Sequence, residues 1–274
     1  MSIKKLQAQK PILPISPYVG GKSRLFKRIC PLFLQIPHET YAEPFVGMGG
    51  IFLRRDYIPK GEVINDYNGD LINLFRIIQN HLAPFCDMMR YQLSSRREFQ
   101  RILRQDPTTL TDMQRAATYL YRLRTCFGGK VTSNVFGVAP GRTSRFDPTK
   151  VNEMVIDLHD RLHDVTIENL PYQNFIPRYD RPATLFYLDP PYHGSEDYYG
   201  KEMFSEYDFN ELAKILKQIK GAFIMSINDT SFIRGVFKSF YMHNIKTTYS
   251  LSASKNTDAN ELIITNKKIT LNSG

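Results

Sequence analysis

The sequence lacks the long apolar runs and the clustered cysteines that mark several large classes of protein. None of its hydrophobic stretches approaches the roughly 20 residues that a membrane-spanning helix needs, so no membrane protein is expected. Its three cysteines, Cys30, Cys86 and Cys126, are widely separated and fall into no metal-ligand spacing. We therefore expect reduced thiols, a cytoplasmic protein and no bound metal.

Acidic residues are also scarce relative to basic ones, which gives the 274-residue chain a formal net charge of +9. From Arg90 to Lys150 twelve arginines or lysines face four acidic residues, so this segment carries nearly all of the excess. Such a concentration is typical of a surface that binds a polyanion, most often nucleic acid. A solvated helical surface gives the same pattern, so charge alone leaves both readings open.

The chain contains no internal repeat, low-complexity tract or flexible Gly/Ser linker. Strand and helix patterns alternate in residues 1–74 and again in residues 164–274, which indicates βαβ units and a parallel sheet. Helix patterns dominate the basic residues in between. We predict an α/β fold in which one domain, residues 1–74 and 164–274, is interrupted by an inserted, mainly helical domain at residues 75–163.

Two glycine-rich stretches indicate a ligand that approaches the backbone closely. The first, "SPYVGGKS", nearly matches a triphosphate-binding loop, but Ser16 stands where the first glycine belongs, so that function is disfavoured. In "EPFVGMGG", Gly47 and Gly49 begin a dinucleotide fingerprint, but Phe52 occupies the third glycine position, which disfavours NAD. Asp66 ends the next predicted strand, where an acid can bind ribose hydroxyls. Together these features favour an adenosine-containing ligand.

The stretch "LFYLDPPY" carries the strongest chemical signal. Leu185–Leu188 reads as a strand buried on both faces, and Asp189 follows at its carboxyl end, where open α/β sheets bind ligands. Pro190 and Pro191 lack N–H groups, so the turn presents carbonyl oxygens and a carboxylate. Tyr192 adds a flat aromatic face. A carboxylate, a carbonyl and a ring suit a planar, amine-bearing group such as a nucleobase.

With "PYVGGK", "EPFVGMGG", "INDYNGDL", "DPPY", "SIND" and "ELIITN" in this order, the chain resembles the Dam-type (D12 class) DNA N6-adenine methyltransferases. The resemblance covers essentially the whole chain. It implies a Rossmann-like S-adenosylmethionine-dependent methyltransferase sheet with an inserted, mainly helical DNA target-recognition domain. It also implies site-specific methyl transfer to N6 of adenine in duplex DNA by base flipping, with S-adenosylhomocysteine as product and no metal.

The same resemblance implies roles for individual residues. Tyr18 and Phe175 match aromatic residues near the cofactor's adenine, Lys22 matches a lysine near its carboxylate, and Asp66 matches the ribose-binding acid. The implied catalytic residues are Asp189, Pro190, Pro191 and Tyr192. The implied cofactor-binding residues are Tyr18, Lys22, Phe45, Gly47, Asp66, Phe175 and Asp189.

The basic segment contains the stretch that resembles the DNA-reading loop of this family. Gly128 stands where an asparagine is typical of the GATC-methylating pattern, and Thr132 stands where a base-reading arginine is expected. These departures leave the recognition sequence open, and phosphate contacts are commoner than base contacts for any one cation. The implied DNA-binding residues are Arg122, Arg124, Lys130 and Arg142.

Other functions are weighed against this one. Cytosine C5 methylation is rejected because none of the cysteines follows a proline, as the nucleophile of that family does. Cytosine N4 methylation uses a similar turn that usually begins with serine, and a non-catalytic DNA-binding protein on the same fold remains a further alternative. We expect double-stranded DNA as partner, a monomer in solution, and a prokaryotic, phage or plasmid origin.

Overall fold

The protein is organised around a β-sheet, and the computed structural model describes residues 6–18, 22, 25–126, 135–137, 141, 144, 146–194, 204–252 and 255–271. The strands are β2 (Thr40–Glu43), β4 (Gly61–Asn65), β5 (Val165–Glu168), β6 (Thr184–Leu188), β7 (Ala222–Asn228), β8 (Tyr241–Ser252) and β9 (Lys255–Thr265), with β1 (Gln7–Ala8) and β3 (Tyr57–Ile58) forming a separate antiparallel pair. The seven strands lie in the order β5-β4-β2-β6-β7-β9-β8. The first five run parallel, and β9 runs antiparallel to both neighbours.

Helices flank this sheet and fill the segment between β4 and β5. They are α1 (Phe26–Phe33), α2 (Gly69–Asn80), α3 (Leu82–Arg90), α4 (Arg96–Leu103), α5 (Asp112–Thr125), α6 (Pro148–Leu162), α7 (Tyr172–Tyr179), α8 (Glu206–Gln218) and α9 (Ser231–Val236). The observed architecture confirms the predicted α/β fold with a mostly parallel sheet and a helical segment between two of its strands.

The helices in this segment begin where the sequence predicts caps. The Thr111 hydroxyl oxygen accepts a hydrogen bond from the Gln114 backbone N–H, and the Gln114 side-chain oxygen accepts one from the Thr111 backbone N–H, which forms a capping box for α5. Asp147 accepts hydrogen bonds from two backbone N–H groups at the start of α6, and Pro148 occupies the first turn. Both caps satisfy N–H groups that a helix cannot satisfy internally.

Two elements differ from the sequence prediction. The stretch "DFNELAKILKQIKG" predicts a helix over residues 208–221, but the observed helix begins at Glu206, because Ser205 forms a capping box with Asp208, and ends at Gln218. The short helix expected after the glycine turn is a single 3-10 turn, Phe52–Arg54.

Strand β6 shows how the sheet divides the core into two layers. All five of its residues are buried. Successive strand side chains point to opposite faces, so Leu185 and Tyr187 join one apolar cluster while Phe186 and Leu188 join the other. A continuous apolar run at this position is therefore the sequence signature of a central strand that is covered on both faces.

The boundary predicted at residues 74 and 75 falls inside α2. One apolar cluster contains Tyr41 and Leu185 of the sheet together with Leu120 of α5 and Leu158 of α6. The inserted helices thus pack into a core that the sheet shares. The division into two domains stays a prediction.

A buried charge cluster attaches the inserted segment to the sheet. Arg161 of α6 donates two hydrogen bonds to Glu62 of β4, at 2.6 and 2.9 Å, and Arg55 donates a third to the same carboxylate. Exposed fractions are 0% for Arg55, 5% for Glu62 and 4% for Arg161. The guanidinium of Arg55 also lies 3.7 Å from the centroid of the Tyr41 ring, and such cation–π contacts offset part of the desolvation cost.

We predict that Glu62→Gln destabilises the protein by about 3 kcal/mol, because it leaves two buried guanidinium groups without their counter-charge. Urea unfolding monitored by circular dichroism measures the change in the free energy of unfolding. Glu39→Gln is the control, since Glu39 is exposed and its ammonium partner Lys60 lies 3.9 Å away, so a change below about 1 kcal/mol is expected. Equal effects of the two variants would show that the buried cluster contributes no more than a surface pair.

Candidate active site

The carboxyl ends of three neighbouring strands form one edge of the sheet. Strands β4, β2 and β6 are adjacent and parallel, so the segments that follow them lie side by side. After β2 the chain forms β4 and β5 on one side of that strand, and it then crosses to form β6 and β7 on the other side. The gap between β2 and β6 is therefore a topological switch point. Open α/β sheets bind their ligands at such a point.

Asn65, the last residue of β4, ties these strand ends together. Its side-chain amide donates hydrogen bonds to the backbone oxygens of Pro44, at 2.9 Å, and Leu170, at 3.0 Å. Its carbonyl oxygen accepts from the backbone N–H of Leu170 at 2.8 Å. Asn65 is 1% exposed, and sequence reasoning missed it. A polar amide directly after the apolar pair Val63 and Ile64 is the signal that could have identified it.

The glycine turn after β2 is fixed by Asp66. One carboxylate oxygen of Asp66 accepts a hydrogen bond from the Gly47 backbone at 2.9 Å, and the other accepts from the Asn68 backbone at 2.9 Å. Burial raises the pKa of Asp66, and these N–H donors partly oppose that rise. Gly47 has a φ of 50° and Gly49 a φ of 74°, conformations that favour glycine. The structure therefore brings the predicted residues Gly47 and Asp66 into direct contact.

Tyr18 packs against the same turn. A β-carbon at Gly47 would lie 3.3 Å from two atoms of the Tyr18 ring. Burial, together with the charge of Asp66, raises the pKa of Tyr18 to about 12. The Tyr18 hydroxyl interacts with Asn68 and with Tyr119 of α5, and the Asn68 amide donates to the Tyr119 hydroxyl at 3.1 Å. A helix of the inserted segment thus reaches the pocket, which the sequence did not indicate.

The two predicted phenylalanines lie in different environments. Phe45 is half-buried at the strand end, with its ring centroid 5.6 Å from that of Tyr172 and 5.7 Å from that of Phe204. Phe175 is fully buried in the apolar cluster beneath α7, 5.0 Å from the ring of Tyr179. The contacts of Phe45 and of Phe175 with a cofactor both stay predictions.

The turn Asp189–Tyr192 follows β6 directly, and its end is held by Asn228 of β7. The backbone N–H of His193 donates to the Asn228 side-chain oxygen at 3.0 Å, and the Asn228 amide donates to the His193 carbonyl at 2.8 Å. These two reciprocal hydrogen bonds resemble those between paired strands, and they fix the backbone after the turn. Pro190 is buried, while Pro191 and Tyr192 are partly exposed.

Lys22 joins the glycine-rich loop to this turn. Its ammonium lies 2.6 Å from Oδ1 of Asp189 and donates a 2.7 Å hydrogen bond to the hydroxyl of Tyr192. Lys22 is 2% exposed, so the ion pair is screened little by water. The structure brings three predicted residues together here. The predicted contact of Lys22 with a cofactor carboxylate stays a prediction.

Burial raises the pKa of Asp189 to about 6, although the ammonium of Lys22 lowers it. A second acid contributes to this rise: Glu261 of β9, which is fully buried and accepts a hydrogen bond from the Tyr192 hydroxyl. Sequence reasoning read "ELIIT" only as a strand and missed Glu261. An ionisable residue that opens an apolar strand was the available signal. The side chain of Asp189 keeps 20% of its surface exposed, so a substrate can reach it.

The predicted DNA-binding residues are only partly within the described structure. Arg122 is half-buried on α5. Arg124 points into the protein, where it donates to the backbone oxygen of Ile15 and contacts the sulfur of Met154 at 3.6 Å, and burial lowers its pKa. Lys130 and Arg142 lie outside the described residues. The DNA-binding role of all four stays a prediction.

Two further properties concern the described residues as a whole. None of their His, Cys, Asp and Glu side chains form a group of three or more that could hold a metal ion. In the same part of the chain, no helix has the length and apolar character needed to cross a membrane.

The site geometry agrees with what comparison with known proteins shows. Residues 18–251 match the D12 class N6 adenine-specific DNA methyltransferase family, so the chain belongs to that family. A Type II methyltransferase of Lactococcus lactis subsp. cremoris is 28% identical, over 92% of this chain and 95% of its own length. A DNA adenine methylase of Haemophilus influenzae is 25% identical, over 94% of this chain and 96% of its own length.

The protein is therefore a methyltransferase, and its activity is site-specific methylation of adenine in DNA. The predicted family and activity are confirmed. The alternatives of cytosine N4 methylation and of a non-catalytic DNA-binding protein are not favoured.

We predict that Gly49→Ala costs more stability than Gly141→Ala. Both glycines have a left-handed φ, 74° and 75°, so each substitution costs about 1–2 kcal/mol. At Gly49 the new β-carbon would also lie 2.8 Å from Cγ of Leu53, whereas nothing lies within 4 Å at Gly141. We expect this overlap to add about 1–3 kcal/mol. Urea unfolding of both variants tests it, and equal losses would show that the turn can relax.

Proposed function

We propose that the protein transfers the methyl group of S-adenosylmethionine to N6 of an adenine that has been flipped out of duplex DNA into the site at Asp189–Tyr192. The observation that carries this proposal is the position of Asp189 at the switch point, beside the glycine turn that Asp66 fixes. The carboxylate proposed to bind the adenine amine and the glycine turn proposed to bind the adenosine of the cofactor thus lie at adjacent strand ends.

The residues around the glycine turn fit this cofactor. Because Gly47 has no side chain, the Tyr18 ring packs directly against the glycine turn, and a β-carbon there would lie 3.3 Å from two atoms of the ring. The Asp66 carboxylate accepts the backbone N–H groups of Gly47, Asn68 and Tyr67, and a carboxylate with about four lone-pair sites has one left for a ribose hydroxyl. Tyr18 offers its ring to the adenine. The bound cofactor supplies an electrophilic methyl group on a positively charged sulfur.

The turn at Asp189 fits the other substrate. The N6 amine of adenine is a poor nucleophile because its lone pair is delocalised into the ring. Asp189 and the Pro190 carbonyl each accept a hydrogen bond from N6, which orients the lone pair toward the methyl carbon. Tyr192 stacks on the flipped base and offsets part of the few kcal/mol that unstacking costs.

The step balances without a further reagent. The bound cofactor would supply the methyl group, its sulfur keeping the bonding electron pair, and the methyl group would replace one proton on N6. Asp189 accepts this proton. Its pKa of about 6 makes the carboxylate the main form at neutral pH and still a usable proton acceptor.

The basic segment between Arg90 and Lys150 is the proposed DNA surface, since it carries nearly all of the net positive charge. Arg122, Arg124, Lys130 and Arg142 are its proposed contacts, and Arg124 would have to leave the Ile15 carbonyl to reach DNA. We further propose that the enzyme acts as a monomer in the cytoplasm, where its DNA lies.

We predict that Asp66→Ala raises the dissociation constant for S-adenosylmethionine by about 10- to 100-fold, because hydrogen bonds to a charged acceptor are lost. Isothermal calorimetry without DNA measures this constant. Asp70→Ala, which removes an exposed acid on the following helix, is the control and should bind as the wild type does. Unchanged affinity of Asp66→Ala would place the cofactor elsewhere.

We predict that Asp189→Ala folds, binds DNA and transfers methyl groups at close to the background rate, since the acceptor that orients N6 is gone. Tyr192→Ala should also be slower, because stacking on a base contributes about 1–3 kcal/mol. The measurement is single-turnover transfer of labelled methyl to an adenine-containing duplex, with circular dichroism as a check on folding. A folded Asp189→Ala protein with a near wild-type rate would disprove the proposed role of this turn.

A further inference from the structure

Glu261 is a buried acid at the catalytic turn to which the proposed chemistry gives no part. It lies on β9, is 0% exposed, and accepts a hydrogen bond from the Tyr192 hydroxyl. A carboxylate in this position is costly to desolvate, and an apolar residue would suit the neighbouring strand residues Leu262 and Ile263 better. Its contact with Tyr192 therefore calls for a functional explanation.

The position of Glu261 in the sheet supports such an explanation. Glu261 on β9 is paired directly with Asn228 on β7. Asn228 holds the backbone of His193 through two hydrogen bonds, and Glu261 holds the hydroxyl of Tyr192. This cross-strand pair thus holds Tyr192 by its side chain and the next residue, His193, by its backbone.

The hydroxyl of Tyr192 is held from two sides. It accepts a hydrogen bond from the Lys22 ammonium at 2.7 Å and donates one to the Glu261 carboxylate. Both partners are almost fully buried, at 2% and 0% exposure. A phenol that both accepts and donates to charged partners has little freedom to move its ring.

We propose that Glu261 is a positioning residue for adenine methylation: by binding the Tyr192 hydroxyl it holds the ring in the plane on which the flipped adenine stacks. This inference rests on the proposed function of the turn. It adds that the rate depends on the orientation of the ring and not only on its presence.

The charge of Glu261 also affects the pH dependence of the methylation rate, which a residue that only stabilises the fold would leave unchanged. The groups around Asp189 are Lys22, Glu43 on β2, Tyr187, Ser226 on β7 and Glu261. The negative charge of Glu261 raises the pKa of Asp189, so removing that charge lets Asp189 ionise at lower pH. The acid limb of the pH–rate profile should then move to lower pH.

The experiment compares Glu261→Gln with Glu168→Gln in single-turnover methylation across a range of pH. Glu168 accepts a hydrogen bond from the Tyr179 hydroxyl at 2.5 Å, so the control removes the charge of the same kind of acceptor away from the turn. Glu261→Gln should be about 10- to 100-fold slower at neutral pH, with its acid limb at lower pH. Glu168→Gln should keep the wild-type rate and profile.

Tyr192→Phe and the double variant test whether Glu261 acts through the hydroxyl. Tyr192→Phe should be slowed to a similar extent, and adding Glu261→Gln should slow it little further, because the shared contact is already lost. Fluorescence of 2-aminopurine at the target position should still report flipping in both single variants. A wild-type rate for Tyr192→Phe, a wild-type rate and pH profile for Glu261→Gln, or multiplicative effects in the double variant would each overturn the inference. Those results would leave the assignment of Asp189 intact, since only Asp189→Ala tests it.

Discussion

Asp189 stands at the end of a strand whose five residues are all buried, and a carboxylate there needs a cation nearby. Lys22 supplies it from more than 160 positions earlier in the chain, at 2.6 Å. This ion pair joins the glycine-rich loop near the start of the protein to the turn after β6. Because a buried charge without a counter-charge is disfavoured, the pair favours the arrangement in which Lys22 lies beside the turn after the central strand.

A second buried ion pair, at Glu62 of β4, holds the inserted helices against the sheet. The carboxylate of Glu62 faces the core and is bound by arginines from two different segments, Arg55 and Arg161. Near the strand ends, the hydroxyl of Tyr119 on α5 accepts a hydrogen bond from the Asn68 side chain. The segment proposed to read DNA thus contacts the sheet through Arg161 and contacts a residue beside Asp66 through Tyr119.

Much of this was predictable from local pattern. A few neighbouring residues are enough to recognise each of these features: the apolar run of β6, the helix caps Thr111 and Asp147, and the glycine turn followed by Asp66. Pairings across long sequence distances were not predictable: the family resemblance implied a cofactor carboxylate beside Lys22 and did not indicate Asp189 as its partner. Glu261 was missed for the same reason, because β9 inserts antiparallel between β7 and β8 and only that order brings it to the turn.

The place of β9 in the sheet has a consequence for how the protein is made. During synthesis β7 emerges with one edge unpaired, since its neighbour on that side is β9 and not β8. An exposed central strand is a template for pairing with other chains. Only when residues 255–265 leave the ribosome can the hairpin β8–β9 cover that edge and deliver Glu261 to Tyr192. The free edge of β7 is therefore covered at the same late stage of synthesis at which Glu261 reaches Tyr192.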